Sequence, residues 1–337
     1  MAAPAPGDVD PVIDAPFRIG RDDRIVTAGS CFAQHLGRHL ADAGFNHHIT
    51  ERAHALTETA DLAEGFNYGV YAARYGNIYT PRQLVQLFDR AYGAFAPEED
   101  VWREADGTLV DPYRPQIQPG GFPTEAEYAA DRRQHFAACR RAFEEAGLFV
   151  FTLGLTEAWV ARSDGAVFPL CPGVAGGAFD PARHAFENFS AADLRDDLRA
   201  FVKRLRTVNP QCRVLLTVSP VPLKATASPE HVLVATSYSK AALLVAAHEV
   251  AQLESEVAYF PSYEIVTGSF NRGSYFAPDL RAVNEAGVRH VMRCFMRHFA
   301  IDGPVAPAAA VEPPTDPLAE IAELVEVNCD EEALVRR

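Results

Sequence analysis

The residues best suited to covalent chemistry stand together at Gly29-Ser30-Cys31-Phe32-Ala33. They follow the apolar run Arg24-Ile-Val-Thr-Ala28 and open a helical pattern carrying Phe32, Leu36 and Leu40. A small residue, a hydroxyl and a thiol therefore sit where a strand turns into a helix. Backbone N–H groups are unsatisfied at such a turn, and the helix dipole favours negative charge. Both effects stabilise an ionised nucleophile. The plainer reading is a tight turn that needs small residues.

The elements that position this turn follow from periodicity and caps. Residues 1–22 read as an extended arm and 24–28 as a short buried strand, followed by a helix from about Cys31 to Ala43. The polar stretch Asn46–Gly65 contains His47, His48 and His54, with no cysteine or carboxylate spacing to make a metal site. Asn67 to Thr80 is dense in Tyr, Asn and Gly. Thr80-Pro81 starts a helix with Leu84, Leu87 and Phe88 on one face. Residues 98–122 form a loop or hairpin excursion. A helix from about Glu125 to Ala146 follows Thr124, with Glu127 completing a capping box.

Leu148–Leu153 is wholly apolar, as suits a parallel strand covered on both faces. Residues 160–189 read as irregular. Ser190 caps a helix Ala191–Val208 with Asp193 as its partner. The strand Arg213–Val218, a loop Ser219–Ala235, a helix from about Thr236 to Leu253, a strand near Val257–Phe260 and a helix Asn284–His298 complete the pattern. Residues 303–337 read as a Pro/Ala-rich linker and acidic tail. The expected division is thus an arm (1–22), one α/β domain (23–302) and a tail (303–337).

Strand and helix alternate at a spacing that predicts an α/β fold, a doubly wound parallel sheet with helices on both faces and loop insertions. Ligands bind at the carboxyl ends of such strands. That rule gathers Ser30 and Cys31, Gly154, Thr156 and Glu157, Ser219 and Pro220, and Pro261, Tyr263 and Glu264 around one crevice.

The chain has 337 residues and a formal net charge of −14. Such acidity is a poor match for nucleic acid or anionic lipid. No run approaches the roughly 20 apolar residues of a membrane span, and the N-terminus lacks the pattern of a signal peptide, so a cytoplasmic protein is expected. Six dispersed cysteines, without a Cys-x-x-Cys pair, imply neither a disulfide framework nor structural zinc. No Gly-x-Gly-x-x-Gly or phosphate loop is present. No cofactor and no metal are expected, and the oligomeric state is left open.

Together with Thr152-Leu-Gly-Leu-Thr-Glu-Ala-Trp159, Thr217-Val-Ser-Pro-Val221 and Tyr238-Ser-Lys240, the motif at Gly29–Ala33 resembles the GSCFA family, over about residues 20–300. That family is grouped with the SGNH, or GDSL-like, hydrolases. The resemblance implies an α/β/α sandwich and hydrolysis or transfer of O-acyl esters of small metabolites or glycans. Laid on the Gly-Asp-Ser of the superfamily without a gap, Cys31 takes the nucleophile position. A one-residue shift of the turn gives it to Ser30.

The superfamily's oxyanion hole uses a glycine N–H and an asparagine amide. Gly69, in Asn67-Tyr-Gly, resembles the first. Gly154-Leu155-Thr156 stands at the Gly-x-Asn position with threonine in place of asparagine, so that Asn67 or Asn77 would supply the amide. The superfamily's Asp-x-x-His is here Asp279-Leu-Arg-Ala282, with the aspartate kept and the histidine absent. His231, Glu157 and Glu264 are the substitutes by location. Tyr68, Tyr71, Tyr75 and Tyr79 can stack on sugar faces or pack at a sheet edge. Arg74, Lys240 and Arg281 can hold an anionic substrate or form surface ion pairs. The rival expectation is a binding or regulatory module that has lost catalysis on the same fold.

Overall fold

The computed structural model describes residues 6–54 and 65–301. Four parallel strands form the central sheet in the order β1 (Ile25–Gly29), β4 (Leu148–Leu153), β8 (Arg213–Val218) and β9 (Val257–Phe260). On the outer side of β1, Ile25 N–H donates to Asn46 O at 2.9 Å and His48 N–H to Ile25 O at 2.8 Å. Residues 46–48 thereby add a one-bridge parallel edge to the sheet.

Helix α1 (Phe32–Asp42) makes the connection from β1 to that edge and lies on one face. Helices α2 (Pro81–Ala91), α3 (Glu125–Glu145), α4 (Ala191–Val208) and α5 (Val232–Leu253) cover the other. The winding therefore reverses between β1 and β4, as the doubly wound expectation requires. Side-chain alternation makes the two layers. Phe149, Phe151 and Leu153 of β4 join the core under α2–α5, while Leu148 and Val150 join the core under α1 and α7 (Glu285–Phe299). Every residue of β4 is buried, which accounts for its unbroken apolar run.

The expected cap residues all cap their helices, but the box expected at Thr124 and Glu127 forms only by half. Thr80 and Gln83 make a capping box, as do Ser190 and Asp193. Thr124 supplies the hydroxyl half of the third, accepting from Glu127 N–H at 3.2 Å. The segment 98–122 carries the hairpin of β2 (Trp102–Arg103) and β3 (Leu109–Val110).

Two expectations are corrected. Residues 160–189 are not irregular. With Glu157–Ala161 as the central strand β5, they contribute β6 (Val167–Phe168) and β7 (His184–Asn188) to a three-stranded antiparallel sheet. These strands are short and compositionally mixed, so no period marks them. Their order comes from pairing across the chain and from packing Phe168 and Ala161 against Trp102 and Tyr113. Helix α5 begins at Val232 rather than near Thr236, because His231 caps it. Its ring Nδ1 accepts Leu233 N–H at 3.2 Å. A short helix α6 (Ser262–Thr267) directly follows β9.

The segment before β1 closes a corner of the domain. Phe17 and Ile19 are buried with Phe299 and Ala300. Ile19 N–H donates to Phe299 O at 2.7 Å, and Ile301 N–H to Ile19 O at 2.9 Å. Arg213, the first residue of β8, reaches Arg18 O and pairs with Asp23 at 2.9 Å. The corner thus lies at the amino ends of the strands. The linker and tail expected at 303–337 lie outside the described residues.

Candidate active site at the β1–β4 switch point

The site begins at Gly29, whose φ of +134° is open to glycine and little else. A Cβ there would lie 2.2 Å from the Thr152 carbonyl oxygen of β4. Its absence lets the backbones close, with Ser30 N–H donating to Thr152 O at 3.0 Å and Ile78 N–H donating to Gly29 O at 2.8 Å. The chain then turns into α1 with Cys31 at the N-cap position. Ser30 is 3% exposed and Cys31 7%. Ser30 Oγ is buried without a hydrogen-bond partner among the described residues.

Gly154 faces this turn from the end of β4. A Cβ on it would lie 2.9 Å from Ser30 Cβ and 3.0 Å from Tyr79 Cδ1. The amides of Gly154 and Leu155 both donate to Tyr79 O, at 3.0 and 3.1 Å. Thr156 is fully buried. Its N–H donates to Ser239 Oγ at 3.1 Å and its hydroxyl to Asn188 Oδ1 at 2.7 Å, so an oxyanion role would require that hydroxyl to leave Asn188. The ammonium of Lys240, 1% exposed on α5, donates to Gly154 O at 2.7 Å.

The structure thus brings Ser30, Cys31, Gly154, Thr156 and Lys240 to one place. The remaining candidates are placed otherwise. Asn67, at φ +60°, donates through Nδ2 to Gln116 O at 3.2 Å. It lines a cavity of about 40 Å³ with Tyr71, Asn77, Tyr113 and Arg114. Gln34, one turn along α1, reaches the wall of that cavity at Tyr71 OH and Asn77 Oδ1, at 3.1 and 3.4 Å. Gly69 is exposed, with open space around it. Glu157 accepts from Thr226 Oγ1 at 2.5 Å, and Glu264 accepts from Tyr259 OH at 2.8 Å. Asp279 is exposed and accepts from the amides of Arg281 and Ala282, closing its own turn. Arg281 Nε donates to Pro222 O at 3.3 Å, so this turn does meet the segment after β8.

Surface pairing is not the fate of Arg74. It is 1% exposed and belongs to a buried network with Arg90, Arg114, Asp111, Asp131, Glu51 and His135. Burial would raise the Glu51 carboxyl, but His135, Arg114 and the Arg74 N–H pull it down to about 2. Burial likewise opposes ionisation of Asp111, and Arg114 and Arg90 hold it at about 2. Tyr71, Tyr75 and Tyr79 are buried, and Tyr75 OH donates to Thr27 O. Among the described residues no three His, Cys, Asp or Glu side chains gather as metal ligands would, and no helix is long and apolar enough to cross a membrane.

A sequence model of the GSCFA family matches residues 24–295. The chain belongs to the GSCFA family. In this GSCFA protein the family span runs from the start of β1 into α7 and includes both faces of the sheet. No curated protein and no solved structure matches the chain.

Proposed function

We propose that this GSCFA protein is an O-acyl ester hydrolase or O-acyltransferase acting on a glycan or a small acylated metabolite. The observation that carries the reading is the Ser30 hydroxyl, buried without a partner at the turn into α1. Leaving such a group unsatisfied costs about 1–3 kcal/mol, and such costs cluster where a group has another task. The likeness of Gly29–Ala33 to the nucleophile turn of SGNH hydrolases points the same way. Ser30 or Cys31 attacks the acyl carbonyl, with the N-terminus of α1 favouring the developing charge. Of the expected oxyanion donors, Thr156 is the one that stands at this turn, and it serves once its hydroxyl leaves Asn188; Gly69 and Asn67 lie apart from it.

A binding module on the same fold is the second reading. It is favoured by Ala282 where the superfamily has histidine, and by the near-complete burial of both nucleophile candidates. A fluorophosphonate and iodoacetamide separate the two. Esterase chemistry predicts stoichiometric labelling of Ser30 or Cys31 at low probe concentration, together with p-nitrophenyl acetate turnover that Ser30→Ala or Cys31→Ala abolishes. Labelling at neither residue, with both variants indistinguishable from the parent, leaves the binding module.

A further inference from the structure

We infer that Lys240 moves the proton for the nucleophile of the β1–α1 turn, taking the role of the absent histidine. This rests on the acyl-transfer reading above and adds a residue to it.

Three contacts bring Lys240 there. Ser239 and Lys240 are consecutive on α5, and both reach the segment that follows β4. Ser239 Oγ holds Thr156 N–H, and Lys240 Nζ holds Gly154 O at 2.7 Å. Gly154 in turn lies against Ser30, close enough that a Cβ on it would come within 2.9 Å of Ser30 Cβ. The amine and the hydroxyl therefore flank one residue that has no side chain, and Ser30 Oγ is bonded neither to Nζ nor to any other described group. The bond to Gly154 O uses one of the three donors of an ammonium and fixes the end of an otherwise flexible chain.

The other proton acceptors weighed from the sequence have structural work. His231 Nδ1 caps α5, and the residue is exposed. Asp279 closes its own turn. Glu157 holds Thr226 and the Ala227 amide, and Glu264 holds Tyr259.

The chemistry balances with water or an acceptor alcohol as the only co-reactant. The Nζ lone pair takes the Ser30 Oγ proton as the Oγ–C bond forms, and the carbonyl π pair moves to oxygen. Collapse breaks the ester C–O bond, and the leaving alkoxide takes the proton from Nζ. Water or the acceptor hydroxyl then gives its proton to Nζ and attacks the acyl carbon. The Oγ–C bond breaks and Oγ regains the proton. With Cys31 as nucleophile, the Sγ proton follows the same path through Nζ.

Lys240→Gln keeps a donor for Gly154 O but cannot act as a base, and Lys240→Arg keeps the charge but cannot give it up. Both are compared with the parent by p-nitrophenyl acetate kinetics, fluorophosphonate labelling and thermal unfolding. The expected result is a fall in kcat of about 10²–10⁴-fold, with KM and the unfolding midpoint little changed. Lys240→Ala in added methylamine should recover part of the rate, which a purely structural lysine would not give. Parental rates in Lys240→Gln, alongside an inactive Ser30→Ala or Cys31→Ala, would overturn the lysine's role and leave the esterase reading standing. A parental protein that neither turns over ester nor takes the probe at Ser30 or Cys31 overturns both.

Discussion

Replacing Gly29 by alanine tests the closure on which the candidate site depends. The residue holds φ at +134°, and the added Cβ would lie 2.2 Å from Thr152 O and 2.7 Å from Thr152 N. Both atoms are backbone of the adjoining strand, so no side chain can swing away. Relief requires either a new φ at Gly29 or a shift of β1 against β4. The backbone strain is of order 1–3 kcal/mol, and overpacking adds roughly 1–3 kcal/mol, for a total of about 2–6 kcal/mol. Gly69→Ala is the control. It also stands at positive φ, +79°, but no described residue lies within 4 Å of the new Cβ, so only about 1–2 kcal/mol of backbone cost remains. Urea unfolding followed by far-UV circular dichroism measures both, with an unchanged m-value as the check on two-state behaviour. If Gly29→Ala loses no more stability than Gly69→Ala, the β1–β4 approach is not as described.

Acid should weaken the fold well above the carboxylate range. Burial, with Arg38 and His39 nearby, lowers His35 to about 3; burial, with His48 and Arg52 nearby, lowers His47 to about 4. The unfolded chain takes up protons below about 6.5 that the folded chain refuses, so stability falls from there down to those values. Each group contributes a slope of up to about 1.4 kcal/mol per pH unit, and His47→Gln should remove one such slope from a pH series of urea titrations. Arg114→Met should cost about 3–5 kcal/mol, because Asp111 and Asp131 each lose a partner at 2.8 and 2.7 Å in a buried setting; a loss under 1 kcal/mol would refute the network's weight. Thr80→Ala removes the hydroxyl half of a capping box, leaving the bond from its own N–H to Gln83, and should cost about 1 kcal/mol, read as a lower thermal midpoint.

The sheet was legible in the sequence because its strands are continuous apolar runs. Leu148–Leu153 and Arg213–Val218 have the bounds their hydrophobicity predicts, and Ala191–Val208 has the bounds its capping box predicts. The antiparallel sheet of β5, β6 and β7 was not, since His184–Asn188 mixes polar and apolar residues and owes its shape to a partner strand. His231 was weighed as a base by its place in the loop after β8, and its capping of α5 shows only once that helix is in place. Ser30 and Gly154 were placed together by the rule for strand ends in parallel sheets. Lys240 was not, because its contact with Gly154 joins residues 86 positions apart. Arg74 looks like a surface charge until Asp131 on α3 and the loop carrying Asp111 and Arg114 close over it.

The bonding of Ile19 to Phe299 and Ile301 has a practical bearing. The described chain enters and leaves the sandwich at one shared doorway, under the amino ends of the strands. Cargo attached at either side of that doorway hangs from the opposite end of the sheet to the Ser30–Gly154 turn. Affinity handles and reporters can therefore be joined at Ile19 or Ile301 away from that turn, and splicing the two sides into a permuted chain should leave the turn untouched.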